Sequence, residues 1–305
     1  MRRIAWVAVV LFSTWQLATA GILILKLAWV EEFKNRATID ANFIVDHAHK
    51  TPNSPAEDGD LHVSGRAAKE VGLPMVAEVV NARSPDEQAA LILIHDREGK
   101  NVAMPISGAW RVWFEHPGER QVQFEKVDPA ENTNPDHNFE IHPLTKVGDQ
   151  LLQKSFHVIQ GFTPKTAKAA FEVYNKQEIL IRATKTAVTL DAKKVGFNYV
   201  AFRIRLIGKP KKLKDDGLAA LADVHDPKAV DEDPLASKIR MIFVAQTKPW
   251  ELVQGKDDGD EFDAIGIPRV DLTQIASFAA KAGSAGVRRK LPYEMIIVDA
   301  QPVKN

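Results

Sequence analysis

The two halves of this 305-residue chain repeat one order of structural elements, and this repeat limits the fold more than any other feature. Residues 37–149 read as three short segments of alternating apolar and polar residues, a helical segment, and two further alternating segments. In the second segment Leu61 and Val63 point to one side of a strand, while His62 and Ser64 point to the other. Residues from about 178 to 303 can be read in the same order. We therefore predict two strand-rich units of one kind.

Helix and loop signals complete the pattern. The helical segment of the first half begins with Ser84 as the N-cap and Pro85 in the first turn. In the second half, residues 163–177 and 271–283 read as helices. Residues 208–236, rich in Lys and then in Asp and Ala, are interpreted as a long mobile loop between two strands.

Three strands, a helix and two strands form the order of the OB-fold, a five-stranded Greek-key barrel. We therefore predict a mainly β protein with two five-stranded OB-like barrels, each carrying one or two short helices, after an N-terminal apolar segment. The predicted divisions are residues 1–30 for that segment, 31–150 for the first barrel and 151–305 for the second.

The N-terminal segment predicts export. Arg2 and Arg3 precede the uncharged run Ile4–Leu25, and Ala18-Thr19-Ala20 has the small-residue spacing of a signal-peptidase site before Gly21. The apolar run continues to residue 30 with only Lys26 interrupting it, so an uncleaved membrane anchor is the alternative and a cytosolic protein the third reading. The predicted location is the periplasm or the exterior, with tethering to the inner membrane left open.

Charge is divided unequally along a chain whose formal net charge is zero. Residues 31–150 hold 12 Lys and Arg against 21 Asp and Glu, a net of −9, and residues 151–305 hold 25 against 19, a net of +6. The two units therefore either attract each other or have different partners. The chain has no cysteine, which excludes disulfides, thiolate metal sites and a Cys nucleophile.

One candidate site in the first unit combines carboxylates with imidazoles. Asp60 and His62 are two residues apart on the second strand, and Glu140 and His142 on the fifth, so each pair shares one strand face. The third OB strand, which carries Glu78, lies between those two strands. The five side chains should therefore meet on one face. A divalent ion such as zinc is the cofactor that this set would hold, and no other cofactor is expected. The alternatives are a hydrogen-bond network that fixes strand register and, third, a metal-dependent hydrolase. The candidate ligands are Asp60, His62, Glu78, Glu140 and His142.

A second candidate site is basic and aromatic. Residues 182–214 hold ten Lys or Arg and one acid, and alternation places Phe197, Tyr199, Arg203 and Arg205 on the outer face of one strand. Rings that stack on bases and cations that hold phosphates are how OB-folds bind single-stranded nucleic acid. Export disfavours nucleic acid, so an anionic glycan or docking to a protein stays open beside it.

Two tryptophans give the third candidate. Trp110 and Trp113 are three residues apart on a predicted strand and should face opposite sides, one in the core and one exposed as a ligand platform. For the cores, we expect Phe139, Ile141, Val200, Phe202 and Ile204 to be buried. Glu140, His142, Arg203 and Arg205 should reach solvent or a groove.

Two stretches resemble known OB domains. Residues 239–270, with Gly259-Asp260 and Gly266, resemble OB domains of the single-strand-binding type. Two strands of the first half resemble those of OB-like domains in exported bacterial proteins. They contain Asp58-Gly59-Asp60-Leu61-His62 and Glu140-Ile141-His142-Pro143. The resemblance covers most of residues 37–303, and it implies the tandem OB fold without implying an activity.

No nucleophile elbow, P-loop, dinucleotide fingerprint or HExxH motif is present in the sequence. The sequence therefore predicts a binding or scaffolding module of the cell envelope, with an anionic oligomer or an envelope protein as partner and membrane contact only through the N-terminal segment. The alternative function is the metal-dependent hydrolase.

Overall fold

The computed structural model describes residues 20–157, 160–229 and 232–303. Its strands are β1 (Ala20–Lys26), β2 (Thr38–Ala48), β3 (Leu61–Arg66), β4 (Met75–Val79), β5 (Met104–His116), β6 (Arg120–Val122), β7 (His137–Val147), β8 (Gln150–Leu151), β9 (Lys165–Thr166), β10 (Glu178–Ala183), β11 (Ala187–Lys193), β12 (Val200–Leu213), β13 (Gly217–His225), β14 (Ala236–Val244), β15 (Glu261–Val270), β16 (Val287–Lys290) and β17 (Tyr293–Pro302). The helices are α1 (Leu27–Phe33), α2 (Gln88–Arg97), α3 (Ala167–Lys176), α4 (Lys248–Val253) and α5 (Leu272–Ala282), with 3-10 turns at Pro85–Glu87 and Gln153–Ser155.

The first barrel is formed by β2, β3, β4, β7 and β5. Neighbouring strands pair in that order, and the parallel pairing of β4 with β7 closes the ring. Helix α2 lies between β4 and β5, the third and fourth barrel strands in sequence order, where the OB-fold has its helix. Ser84 accepts a hydrogen bond from the backbone N–H of Asp86, so the predicted cap begins the 3-10 turn that leads into α2. The predicted fold of this half is confirmed.

The second barrel has the same strand order, formed by β12, β13, β14, β17 and β15. Pairing of β12 with β13 closes it, β14 and β17 run parallel, and α4 lies between the third and fourth strands. The predicted helices in this half are confirmed as α3, which precedes the barrel, and α5, which ends at Gly283. Two OB-type barrels are therefore present.

Two details of the prediction for this half are wrong. The hairpin β10–β11, taken as the start of the second barrel near residue 178, belongs to another sheet. The segment 208–236, taken as a mobile loop, contains the end of β12 and the whole of β13. The pattern misled because Gly208, Lys209 and Pro210 form a bulge within β12, and because β13 is rich in alanine, which strands disfavour.

The third sheet has the order β16-β10-β11-β1-β6 and takes strands from both halves of the chain. Its strand β1 pairs with β11 and β6, and the side chains of Leu23 and Leu25 are fully buried. Residues 1–19, with the basic pair and most of the predicted signal, lie outside the described residues. The first described residues, from Ala20 onward, are thus part of the folded core. Across residues 20–157, 160–229 and 232–303, no helix has the length and apolarity needed to cross a bilayer.

Two buried arginines join the barrels in a reciprocal arrangement. Arg111 of β5 donates to the carbonyl of Pro268 in β15 at 2.9 Å, and Arg269 of β15 donates to the carbonyl of Trp110 in β5 at 2.9 Å. Each arginine also pairs with a glutamate on the last strand of its own barrel, Arg111 with Glu140 and Arg269 with Glu294. The equivalent positions indicate that the barrels contact each other about an approximate two-fold axis.

The register predictions are confirmed for the barrel interiors and wrong for the tryptophans. Phe139, Ile141, Val200, Phe202 and Ile204 are all buried. The two tryptophans do lie in different surroundings, but neither is exposed. Trp110 lies under the guanidinium of Arg269 at 3.5 Å, and Trp113 packs edge-on against Tyr174 of α3. Both faces of β5 are covered, so no surface platform exists there.

Candidate functional site

Three of the five predicted metal ligands meet in one buried cluster on the first barrel. Asp60 lies just before β3, Glu78 in β4 and His142 in β7, and β4 pairs with both other strands as predicted. One ligand atom from each residue lies within 4.8 Å of the others. We call Asp60, Glu78 and His142 the triad.

Carboxylate oxygens lie close to both ring nitrogens of His142. Its Nε2 is 3.3 Å from Asp60 Oδ2, while its Nδ1 is 3.6 Å from Glu78 Oε2 and 3.4 Å from Glu140 Oε2. The triad is therefore suited either to bind a cation or to hold His142 as an imidazolium.

Tyr199 from the second half of the chain covers the triad. Its hydroxyl donates to Asp60 Oδ2 and lies 2.9 Å from His142 Nε2, and the side chain is 3% exposed. The prediction that Tyr199 faces an external ligand is therefore wrong. Tyr199 precedes β12 instead of lying within it, so the alternation used to orient its side chain does not apply.

The other two predicted ligands have different surroundings. Glu140 pairs with Arg111 and lies 3.2 Å from Nε2 of His137, so its oxygens are already engaged. The Nε2 of His62 is 3.3 Å from Glu78 Oε2, and its ring stacks on that of His49 at 5.0 Å. His62 lies at the partly exposed edge of the cluster.

The exposure predicted for Glu140 and His142 is wrong, since Glu140 is 4% exposed and His142 is fully buried. The prediction assumed that the outer barrel face meets solvent, whereas the second half of the chain packs over it. Arg111 was not predicted as part of this site. A lone arginine in an apolar strand, opposite Glu140, was the available signal for it.

Electrostatics in the cluster follow from burial and from the density of carboxylates. Burial raises the pKa of the Asp60 carboxyl to about 7. Burial alone would lower the pKa of His142, but the charge of Glu78 and the nearby carboxylates of Asp60 and Glu140 outweigh it and raise that pKa to about 10. Burial would likewise raise the pKa of Glu140, but Arg111 holds it well below its usual range.

Two buried polar atoms of the triad, Asp60 Oδ1 and His142 Nδ1, have no hydrogen-bond partner among the described residues. The same holds for both nitrogens of His62 within those residues. A buried polar atom without a partner costs about 1–3 kcal/mol, which a bound cation would offset. The donor set of two carboxylates and an imidazole is one that zinc and similar ions accept.

The predicted basic face is only partly assembled. Arg203 and Arg205 share the outer face of β12 as expected, but Arg203 pairs with Asp263 at 2.8 Å and Arg205 with Glu261 at 2.6 Å. Their charges are therefore largely compensated. Phe197 has a left-handed backbone and is half-buried beneath Lys165, so it does not share that face.

Another basic surface lies further along the same strand. A groove of about 550 Å³ is bordered by Lys209, Lys211 and Lys212 of β12, with Ile207 and the 44% exposed Leu221 beside them. Lys209 pairs with Asp257 at 3.1 Å, whereas Lys211 and Lys212 have no carboxylate partner within the described ranges. We call this surface the lysine groove. The sequence interpretation missed it because these lysines were assigned to a loop.

Comparison with known proteins adds little to this geometry. No family model matches the sequence, and a search of the curated proteins found no match. Among solved structures, the chain is similar to the single-stranded DNA binding protein from Thermus aquaticus, with 7% identity, a TM-score of 0.23, and coverage of 88% of this chain and 92% of that chain. A likeness this low supports no argument about the ligand. The strand order alone defines the class, a tandem OB-fold protein with a buried carboxylate–imidazole cluster.

Proposed function

We propose that this chain is a non-enzymatic binding protein of the cell envelope whose ligand face is the lysine groove of the second barrel. The observation that carries the proposal is the pair of cations Lys211 and Lys212, which have no carboxylate partner in the described part of the chain, beside the exposed apolar side chain of Leu221. The groove lies on the first two strands of the barrel, and the second of these, β13, is one of the two strands across which OB-folds bind their ligands.

The face formed by the second and third strands of the first barrel, β3 and β4, is not open to a ligand. Tyr199 covers its triad, and Ser64 Oγ donates to the carbonyl of Asn132 at 2.6 Å, which holds the 125–136 loop against β3. The first barrel thus uses its second and third strands for contacts within the chain, whereas the second barrel has an exposed groove on its first two strands.

The proposed ligand is anionic, either an oligomer such as a glycan or single-stranded nucleic acid, or an acidic protein. Export disfavours nucleic acid. The test is a titration of the purified protein with a sulfated oligosaccharide and with a single-stranded oligonucleotide. Binding should be lost in Lys211→Glu/Lys212→Glu and kept in Lys168→Glu/Lys185→Glu, whose lysines are exposed elsewhere on the molecule. Equal binding by both variants would contradict the proposal.

Export itself is proposed from the sequence of the first 20 residues. A cut after Ala20 would remove the first residue of β1 and leave Gly21–Lys26 paired with β11 and β6. Leu23 and Leu25 are packed inside the protein, so they are not available to a bilayer in this fold. N-terminal sequencing of the protein from cell fractions tests this. A mature chain that begins at Gly21 is expected, and an intact N-terminus in the cytosol would contradict it.

A second function, metal binding, is supported by the triad. Asp60 and His142 are fully buried, whereas a hydrolytic metal needs an open coordination position that a substrate can reach. We therefore favour a structural ion over the hydrolase. Elemental analysis of the purified protein should find a divalent ion that is lost in His142→Ala and kept in His47→Ala, an exposed control. A metal-free protein after zinc loading would rule this function out.

A further inference from the structure

The lysine groove has a complementary surface within the same sequence. We propose that the groove binds the acidic 125–136 loop on the first barrel of a second copy of this chain. This inference rests on the proposed function of the groove, and it names a protein partner instead of an oligomer.

The acidic loop joins β6 to β7 and lies on the outside of the first barrel. Its acids Glu125, Asp128, Glu131 and Asp136 are all exposed, and its single cation, Lys126, pairs with Asp128 at 2.5 Å. The loop carries a net charge of −3, from four acids and one lysine.

The loop is held in place on the barrel instead of hanging free. The backbone N–H of Ala130 donates to Asp46 Oδ2 at 3.0 Å, and the carbonyl of Asn132 accepts from Ser64. A surface that is already ordered loses less conformational entropy when a partner binds. The apolar residues Val127 and Ala130 lie among its acids, which matches the arrangement of Leu221 among lysines in the groove.

The charge distribution of the whole chain favours contact between copies. The first unit is acidic and the second basic, so an antiparallel or head-to-tail approach places opposite charges together. The net charge of zero removes the long-range repulsion that keeps many proteins apart.

The two surfaces belong to different regions of one molecule. The loop lies against β3 and β4 of the first barrel, and the groove lies on β12 and β13 of the second, with no lining residue in common. A single loop–groove contact between two copies is heterologous and forms open chains unless a rotation closes them, whereas two reciprocal contacts make a closed two-fold dimer. In both arrangements association should grow with concentration.

Sedimentation velocity of the purified protein tests the inference. At about 50 mM salt the protein should self-associate as its concentration rises, and at about 200 mM salt association should weaken strongly, since screening shortens the range of exposed charges. Self-association through the apolar N-terminal residues would not weaken with salt. A monomer at every concentration in low salt would overturn the inference.

Charge reversal identifies the surfaces. Lys211→Glu/Lys212→Glu should weaken association by about tenfold or more, and Asp128→Lys/Glu131→Lys should do the same. The variant that combines all four changes should associate again, because the charges are complementary once more. Failure of that rescue, or wild-type association in either double variant, would overturn the inference.

The control for charge reversal is Lys168→Glu/Lys185→Glu, which should associate like the wild type. Binding of the oligosaccharide or oligonucleotide without self-association would overturn this inference and leave the proposed function standing. If the protein showed neither ligand binding nor self-association, both the inference and the proposed function would be ruled out.

Discussion

Replacing Arg269 with Met tests whether the reciprocal arginines hold the two barrels together. The side chain is fully buried, pairs with Glu294 at 2.6 Å, and donates to the carbonyls of Arg36, Ala37 and Trp110 at 2.9–3.1 Å. Methionine keeps much of the volume but removes the donor to these carbonyls, of which, among the described residues, only that of Arg36 keeps a side-chain donor, the indole N–H of Trp110. It also removes one of the two cations on Glu294, whose other partner is Arg240. Breaking a buried pair in this way costs about 3–5 kcal/mol.

The assay is urea unfolding followed by tryptophan fluorescence, since Trp110 lies directly under the Arg269 guanidinium. The matched control is Arg205→Met, because Arg205 also pairs with a glutamate at 2.6 Å but its side chain is 48% exposed. An exposed pair contributes about 0–1 kcal/mol, so the control should lose no more than that. If Arg269→Met lost less than about 1 kcal/mol, the argument that this arginine couples the barrels would be refuted.

Three further outcomes are expected. Tyr199→Phe removes a donor to the buried Asp60 carboxylate and should lower the free energy of unfolding by about 1.5–3 kcal/mol, measured in urea; an unchanged value would contradict the hydrogen bond. The pKa of His142 in the folded protein is raised to about 10, above its usual 6.5. Its contribution to the free energy of unfolding is therefore complete below pH 6.5 and is lost as the pH rises through about 10. Metal-free protein should therefore lose up to about 1.4 kcal/mol per pH unit between those values, and His142→Gln should lack this slope. Gly65→Ala should destabilise the first barrel strongly, because the new Cβ would lie 2.1 Å from the carbonyl of Ile44; a variant with wild-type melting temperature would contradict the packing described here.

The tandem OB fold could be predicted because strand alternation and the position of the first helix are local signals. Phe139 and Ile141 are buried as alternation required, and Ser84 caps its turn. The third sheet could not be predicted in this way. Its strand β1 pairs with β11 and β6, which come from distant parts of the chain, and no local pattern in Ala20–Lys26 identifies those partners.

The ligand residues of the candidate site could be predicted from the sequence, but their burial could not. Asp60, Glu78 and His142 meet because OB strand order places their strands side by side. Their burial depends on Tyr199, which is 139 residues from Asp60 in the sequence and reaches it only through the packing of the two halves. The lysine groove was hidden for another reason, since the bulge at Gly208 breaks the alternation that marks a strand.

The most direct test of the account is the salt dependence of anionic ligand binding at the lysine groove. The dissociation constant of a single-stranded oligonucleotide, and of a sulfated oligosaccharide, would be measured between about 50 and 200 mM salt. Lys211→Ala/Lys212→Ala should weaken binding and flatten the logarithmic slope for the oligonucleotide by about 1.4, because two ionic contacts are removed. Arg203→Ala/Arg205→Ala should leave that slope nearly unchanged, since Asp263 and Glu261 already compensate these charges. An unchanged slope in the lysine variant, or no binding of either ligand at low salt, would contradict the account.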